Sequence, residues 1–263
     1  MTLIVKSGFN GMTDADAIAY VNEVELLDGE PLEFAVGKAI NDFVVGCKLD
    51  GIWPAIKASC ILAGARTLAG ALVPLVGAAP TKFGTEGGWT YNRKTGLQGN
   101  GTNNYLNSNR ASNADGLNTH HTAVRLTNSL ANNQGLSGTV GAGAGYSGIG
   151  RFSLTYFWSR SNNNALGAAV GTNASGHSGA GLYGFSRASS ADISYKAGTV
   201  AVTTTALASI SANSGNTLFF NSGNNDNYTT SQIAFYSIGE ALDLAKLDTR
   251  VTALITAIGA AIP

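Results

Sequence analysis

Carboxylates that could do chemistry are few and far apart in this sequence of 263 residues. Between residues 98 and 235 there is no glutamate, and the aspartates of that stretch are Asp115, Asp192 and Asp226. A glycosidase needs two carboxyl groups about 5–10 Å apart. The spacing therefore does not favour glycoside hydrolysis, although residues distant in sequence can meet in a fold.

Histidines offer a second route to catalysis. His120, His121 or His177 could be combined with a serine and an aspartate into a hydrolytic triad. No G-x-S-x-G segment accompanies them, and that segment is what places a nucleophilic serine on a sharp turn. We interpret His120 and His121 as surface histidines at the start of a strand, and predict no catalytic residue.

Binding is better supported than catalysis, because two Asn-rich loops lie near aromatic residues. The first is NSGNNDNYTT at 221–230, and the second is SNNNA at 161–165, just after Trp158. Sugar sites stack a ring on an aromatic face and bond its hydroxyls to amides. The alternative is a pair of solvated turns, since Asn tolerates left-handed backbone. The candidate ligand-binding residues are Trp158, Asn224, Asn225, Asp226, Asn227 and Tyr228.

Composition excludes several classes of partner. The formal net charge is zero and charged residues make up 12% of the chain, against about 25% on average. A nucleic-acid-binding protein needs a basic patch, and the longest apolar stretch is broken by Arg66 and Pro74. We therefore expect no nucleic-acid partner, no membrane partner and no secretory leader, and production in a cytoplasm.

Metals and cofactors are not predicted either. Cys47 and Cys60 form no C-x-x-C pair, so zinc is not expected and two buried thiols are favoured over a disulfide. Calcium at Asp226 stays an open alternative, because aspartate and amide oxygens suit that ion. The glycine-rich segment GAGAGYSGIG at 141–150 lacks the strand-then-helix context of a nucleotide site.

Residues 1–85 are predicted to be a helical attachment region. Thr13–Asp16 resembles a helix start, a stripe at helical spacing begins at Leu32, and LDG at 49–51 ends that helix. Trp53-Pro54 is predicted to open another helix, which runs through Ile56 and Cys60. The stripe either packs within the chain or docks another chain. The candidate docking residues are Leu32, Val36, Ile40, Phe43 and Trp53, with Leu247, Val251 and Leu254 near the C-terminus.

Residues 86–238 have a different pattern. Short apolar runs alternate with Gly, Asn and Ser clusters, and several runs alternate with a period of two, as in RFSLTYFWSR at 151–160. Short strands with turn signals every ten to fifteen residues or so indicate an antiparallel sandwich. We predict a mainly β protein whose jelly-roll sandwich is flanked by the helical region and a C-terminal helix.

Residues 239–263 are predicted to form that helix. Ser237 and Glu240 have the spacing of a capping box. The stripe after them packs on the sandwich, on the N-terminal helices or, as a short seam, on a second copy. It consists of Leu244, Leu247, Val251, Leu254, Ile258 and Ala261.

Several segments resemble known families. TGLQGNGTNNYLNSNR at 95–110 is similar to the first strands of concanavalin A-like and laminin-G-like jelly rolls, where a G-x-G-(S/T)-x-x-Y-(L/V) segment pairs two strands around a turn. RFSLTYFWSR resembles an inner strand of such domains, and SQIAFYSIGEALDLAK at 231–246 their closing strand and helix. Together with residues 39–81, the stretch at 91–110 also resembles structural proteins of tailed bacteriophages.

That resemblance implies a virion protein of the tail, fibre or capsid exterior. On this interpretation the N-terminal region anchors the chain to other virion proteins, the sandwich faces outward and contacts host surface glycan, and the chain forms a homo-oligomer without enzymatic activity. One alternative is a stand-alone glycan-binding module, which would be monomeric. Another is a polysaccharide-degrading enzyme, which would release reducing ends.

Overall fold

A computed structural model describes residues 11–140, 145–153, 156–164, 179–223 and 227–263. Two antiparallel β-sheets pack face to face, and helices from both ends of the chain cover the outer side of the larger sheet. This arrangement confirms the predicted fold class, which is mainly β with an N-terminal helical region and a C-terminal amphipathic helix.

The first and last helices each begin after an aspartate that caps them. The carboxylate of Asp14 accepts hydrogen bonds from the backbone N–H groups of Asp16 and Ala17, and Asp243 caps the last helix in the same way. Gly51 follows the second helix with a positive φ of 73°. The helices are α1 (Ala15–Asp28), α2 (Phe34–Leu49), α3 (Leu68–Ala71) and α4 (Leu244–Ala261).

The strands divide between two sheets. Those of the first half are β1 (Ile56–Ile61), β2 (Pro74–Val76), β3 (Thr81–Phe83), β4 (Thr90–Asn92), β5 (Gly96–Gln98), β6 (Tyr105–Ala111), β7 (His120–Leu126) and β8 (Gln134–Thr139). Those of the second half are β9 (Gly148–Ser153), β10 (Tyr156–Arg160), β11 (Gly181–Arg187), β12 (Asp192–Gly198), β13 (Val200–Ala206), β14 (Asn216–Phe219) and β15 (Ile233–Gly239). Sheet A has the order β13-β12-β11-β7-β15-β1-β2, with β4 and β5 attached beside β15, and sheet B has the order β10-β9-β8-β14-β6-β3.

Helices α1, α2 and α4 pack on sheet A through one apolar cluster. The ring of Phe43 on α2 meets that of Phe235 on β15 edge to face, with centroids 5.5 Å apart. Arg250 of α4 donates two hydrogen bonds to Asp50, at 2.7 and 2.9 Å, and so joins α4 to the end of α2. Two helices from opposite ends of the chain thus form one layer.

The predicted docking stripes lie inside this cluster. The expectation that they face another chain is therefore corrected, because each is at most 5% exposed and is covered by this chain's own helices and sheet. Trp53 differs, since it is only partly buried at the edge of the cluster. The buried members are Leu32, Val36, Ile40, Phe43, Leu247, Val251 and Leu254.

A second apolar cluster fills the space between the two sheets. Phe219 of β14 stacks on Tyr236 of β15 with ring centroids 4.1 Å apart. Phe157 of β10 approaches Tyr183 of β11 at 5.8 Å. Alternate residues of β1, β7, β11 and β12 enter this core, as the side-chain alternation of a β-strand requires.

Two predicted helical segments are strands or turns instead. A single 3₁₀ turn covers Trp53–Ala55, and the residues after it form β1, which lies between β15 and β2 in sheet A. The predicted capping box at Ser237 is also wrong, because Ser237 belongs to β15 and α4 begins at Leu244. Both corrections have one cause: β1 and β15 pair with each other from Ile56 opposite Gly239 onward.

No helix in the described part of the chain is long and apolar enough to cross a membrane.

Candidate functional site

A row of three aromatic rings lies on the side of sheet B that faces away from sheet A. Leu106 of β6 is buried in the core between the sheets, so its neighbour Tyr105 projects to the opposite face. Phe83 of β3 pairs in register with Tyr105, and their rings stack with centroids 4.9 Å apart. Tyr228 approaches Tyr105 at 6.5 Å. We call these three residues the aromatic row.

The aromatic row is open to solvent. The side chain of Phe83 is 41% exposed, and Tyr105 and Tyr228 are half-buried. Contiguous apolar surface of this kind, rimmed by polar residues, is typical of ligand and partner sites. The row is therefore the part of sheet B best suited to contact a ligand.

Asparagine side chains build the turn that leads into Tyr105. The carbonyl oxygen of Asn100 accepts hydrogen bonds from the backbone N–H groups of Thr102, Asn103 and Asn104, at 3.0 to 3.2 Å. Asn104 in turn donates to the backbone oxygen of Thr85 at 2.8 Å. These amides hold the turn before β6 against the segment after β3, and so fix the position of the ring pair.

Polar contacts hold Tyr228 on the other side of the row. The hydroxyl of Thr229 donates to the side-chain oxygen of Gln134 at 2.6 Å, and the amide of Gln134 donates to the hydroxyl of Thr230 at 3.1 Å. The backbone oxygen of Asn227 accepts from the N–H of Gly135 at 2.7 Å. These bonds fix the segment that carries Tyr228 against β8.

Three predicted ligand-binding residues fall outside the described part of the chain: Asn224, Asn225 and Asp226. Asn227 and Tyr228 are described, and the structure brings Tyr228 to Tyr105, which stacks on Phe83. Tyr105 and Phe83 are not among the ligand-binding residues that we predict from the sequence. The signal for them was present, because Tyr105 alternates with the buried Leu106 inside the stretch at 95–110.

Trp158, another predicted ligand-binding residue, is buried. Its side chain is 4% exposed, so it cannot offer a face to a ligand. Phe152 stacks on it at 5.5 Å, and Tyr146 lies at 6.0 Å. The guanidinium of Arg160 sits 5.5 Å from the ring centroid of Trp158 and 5.3 Å from that of Tyr146. Side chains of this chain therefore cover the ring of Trp158 on which a sugar would stack.

Glycines on β8 and β9 make room for these rings. A Cβ atom on Gly150 would lie 2.6 Å from Cζ2 of Trp158, and one on Gly138 would lie 2.4 Å from the hydroxyl of Tyr146. Such separations are shorter than any real van der Waals contact. The two rings consequently lie close against the backbone of sheet B.

The second Asn-rich loop is structural where it is described. Asn162 and Asn163 are buried. The amide of Asn162 donates to the backbone oxygen of Leu117 at 2.8 Å, and that of Asn163 donates to the oxygen of Ala208 at 2.6 Å. These bonds join neighbouring loops at one end of the sandwich.

His120 and His121 are buried, so their prediction as surface histidines is wrong. Burial lowers the pKa of His120 to about 3 and that of His121 to about 4. The Nδ1 atom of His121 lies 2.6 Å from the backbone oxygen of Glu240, which can only accept, and Nε2 lies 2.7 Å from the hydroxyl of Ser237. Nδ1 therefore carries the hydrogen and Nε2 accepts from Ser237.

The Ser237–His121 hydrogen bond has the geometry of a serine paired with a general base. Both side chains are fully buried, so the pair cannot meet a substrate in this arrangement. It instead ties β7 to β15 and to the segment that leads into α4. Asp115 pairs with Arg110 at 2.5 Å rather than with either histidine.

Cys47 and Cys60 are buried free thiols. The thiol of Cys60 donates to the backbone oxygen of Val73 at 3.0 Å, and burial raises the pKa of Cys47 to about 12. Within the described ranges, no three His, Cys, Asp or Glu side chains group as a metal site would require.

No protein-family model and no curated protein matches this sequence. Among solved structures, it is similar to the conserved carbohydrate esterase of the Shiga toxin-encoding bacteriophage phi24B, at 14% identity and a TM-score of 0.32. That match covers 56% of this chain and 80% of the esterase. It is also similar to a GH54 α-L-arabinofuranosidase, at 9% identity and a TM-score of 0.38, over 77% of this chain and 44% of the arabinofuranosidase.

Both of these structures belong to carbohydrate-active proteins, and one comes from a bacteriophage. Because both are enzymes, they contradict our sequence-based prediction that this chain is not an enzyme, and we withdraw that prediction. At these identities and TM-scores, the likeness assigns no substrate and no site residue to this chain.

Proposed function

We propose that this chain contacts carbohydrate through the aromatic row of sheet B, as an exterior component of a bacteriophage particle. The observation that carries the proposal is the alignment of the exposed Phe83 with the half-buried Tyr105 and Tyr228. Aromatic rings give the C–H faces of a sugar an apolar surface, and neighbouring amides bond its hydroxyls.

The surroundings of the row favour a neutral glycan. Asn103 is an exposed residue of the turn that precedes Tyr105, where its amide bonds Thr85 and Asn100. Further along the same two strands, the amide of Asn109 donates to the hydroxyl of Thr81. The cation of this region, Lys82, is paired with Glu86. Amide and hydroxyl groups without an unpaired charge suit a hydroxyl-rich polymer better than an acidic one.

The particle context rests on the resemblance of residues 39–81 and 91–110 to structural proteins of tailed bacteriophages. In this proposal the chain is localised on the virion. Its partners are other virion proteins, further copies of itself and host surface glycan. Because the helical stripes are used in the intramolecular core, attachment to the particle uses other surfaces of the helical layer.

Glycan binding is tested on an array of bacterial surface polysaccharides. Wild-type chain should bind at least one neutral polysaccharide, and Tyr105→Ala or Tyr228→Ala should each weaken that binding about tenfold, the usual scale for losing a stacking aromatic. Phe34→Ala is the matched control, because Phe34 is an exposed ring on the helical layer. Binding that survives both tyrosine substitutions would exclude the aromatic row as the binding surface.

The particle assignment is tested separately by antibody-gold electron microscopy of intact virions. Gold label over the tail, fibre or capsid would support the assignment and would show where on the particle the chain lies. If purified virions carry no label while the isolated chain still binds polysaccharide, the proposed location is wrong and the stand-alone binding module takes its place.

A further inference from the structure

A groove of about 430 Å³ runs between α1 and β2, on the opposite layer of the molecule from the aromatic row. Asp16, Ala19, Tyr20 and Glu23 of α1 form one wall, and β2 forms the other. Trp53 closes the groove at one side. We propose that it binds an extended lysine- or arginine-bearing segment of a partner protein.

An ammonium group of this chain lies beside two residues that line the groove, Asp16 and Trp53. The Nζ atom of Lys48 lies 5.6 Å from the ring centroid of Trp53 and 2.7 Å from carboxylate oxygens of Asp14 and Asp16. An aromatic face with carboxylates beside it is a favourable site for a cation. Lys48 therefore shows how a cation is held at this end of the groove.

A second carboxylate is left for an incoming cation. Glu23 follows Asp16 by seven residues, so both lie on the same side of α1, about 10 Å apart along the helix. Glu23 is exposed, and none of the ion pairs among the described residues includes it. With Asp14 and Asp16 facing the single charge of Lys48, this wall is net acidic and complementary to a basic segment.

The opposite wall suits an extended chain. β2 is the end strand of sheet A, and within the described ranges it pairs with β1 alone. An end strand can accept another strand along its free side. Val76 and Ala19 provide apolar surface for the methylene stem of a lysine or arginine.

Tyr20 offers one further polar contact. Its side chain is 5% exposed and lines the groove, and burial raises the pKa of its hydroxyl. The hydroxyl makes no hydrogen bond to any other described residue. The hydroxyl is therefore available at the groove, where a backbone group of a bound segment would replace water as its hydrogen-bond partner.

The test mixes the full chain with a fluorescein-labelled peptide in which lysine and valine alternate. Fluorescence anisotropy of the peptide measures binding. The expected result is saturable binding that weakens as salt is added. A peptide in which glutamate and valine alternate should not bind. Equal binding of the two peptides would overturn the proposal.

Two variants place the peptide in the groove. Glu23→Gln should weaken binding about tenfold, because it removes the charge that pairs with the incoming cation. Ala19→Lys should abolish binding, since it adds a cation to the same wall. Asp42→Asn is the control, because it removes one exposed carboxylate of α2 outside the groove. Unchanged binding by both groove variants would overturn the proposal.

A free polyamine is the competing source of the same cationic groups. If spermidine displaces the peptide at an equal concentration of positive charge, the groove binds cations but does not recognise an extended chain. That result would overturn the assignment of a protein partner. Displacement only at a large excess of spermidine supports that assignment.

Discussion

Phe43 and Phe235 meet edge to face, with centroids 5.5 Å apart and ring planes inclined by 67°. One ring comes from the apolar stripe of α2 and the other from the helix-facing side of β15. A stripe that could have docked another chain is thereby part of the core that attaches the helical layer to sheet A.

Phe43→Ala should destabilise the fold by about 3–5 kcal/mol, because it opens a cavity between α2 and sheet A. The measurement is urea unfolding followed by circular dichroism. Phe34→Ala on the same helix should cost less than about 0.5 kcal/mol, since Phe34 is 59% exposed. Loss of particle attachment by Phe43→Ala without loss of stability would instead restore the docking interpretation.

Gly150→Ala should destabilise the chain by about 1–3 kcal/mol, because the new methyl group would overlap the ring of Trp158. Displacement of that ring should also shift tryptophan fluorescence. Gly87→Ala is the control, since a Cβ at Gly87 would meet no atom within 4 Å. Equal stability of the two variants would show that Trp158 does not lie against β9.

Acid should lower the free energy of unfolding at pH values well above those at which carboxylates take up protons. The folded-state pKa values of His120 and His121 are about 3 and 4, below the usual value of about 6.5. Unfolding therefore takes up protons below pH 6.5, so stability is complete above that pH and falls as the pH drops toward 4. The expected loss between pH 7 and pH 5 is about 2 kcal/mol for each histidine.

Urea unfolding at the two pH values checks this dependence. His121→Gln retains groups that can bond Ser237 and the backbone oxygen of Glu240, and it should remove about half of the difference between pH 7 and pH 5. If wild-type stability is the same at both values, the histidines are not buried in their neutral form.

Cys47 and Cys60 should not react with a thiol reagent such as dithionitrobenzoate at pH 8 in the folded chain. Both are buried, and burial raises the pKa of each thiol, to about 12 for Cys47, so the reactive thiolate is scarce. Both should react in denaturant, as absorbance of the released thiolate would show. Rapid reaction of one thiol before unfolding would contradict this burial.

Local pattern alone predicted much of the architecture. The period-two runs after residue 86 predicted an antiparallel sandwich, and the three-to-four spacing of Val36, Ile40, Leu247 and Val251 predicted which faces of α2 and α4 are apolar. Gly51 marked the end of α2. These features depend on neighbours within a few residues, so they can be identified before any tertiary contact is known.

The identity of β1 and the environment of the candidate site depend on residues far away in the chain. Ile56 follows a helix-like Trp53-Pro54 start, yet it becomes a strand because Gly239 lies opposite it. Trp158 is buried because Gly150 on the neighbouring strand admits its ring, whereas Tyr105 on the same sheet is only half-buried. Strand pairing and the packing of rings over a sheet join distant residues, and the energy of those contacts outweighs local preference.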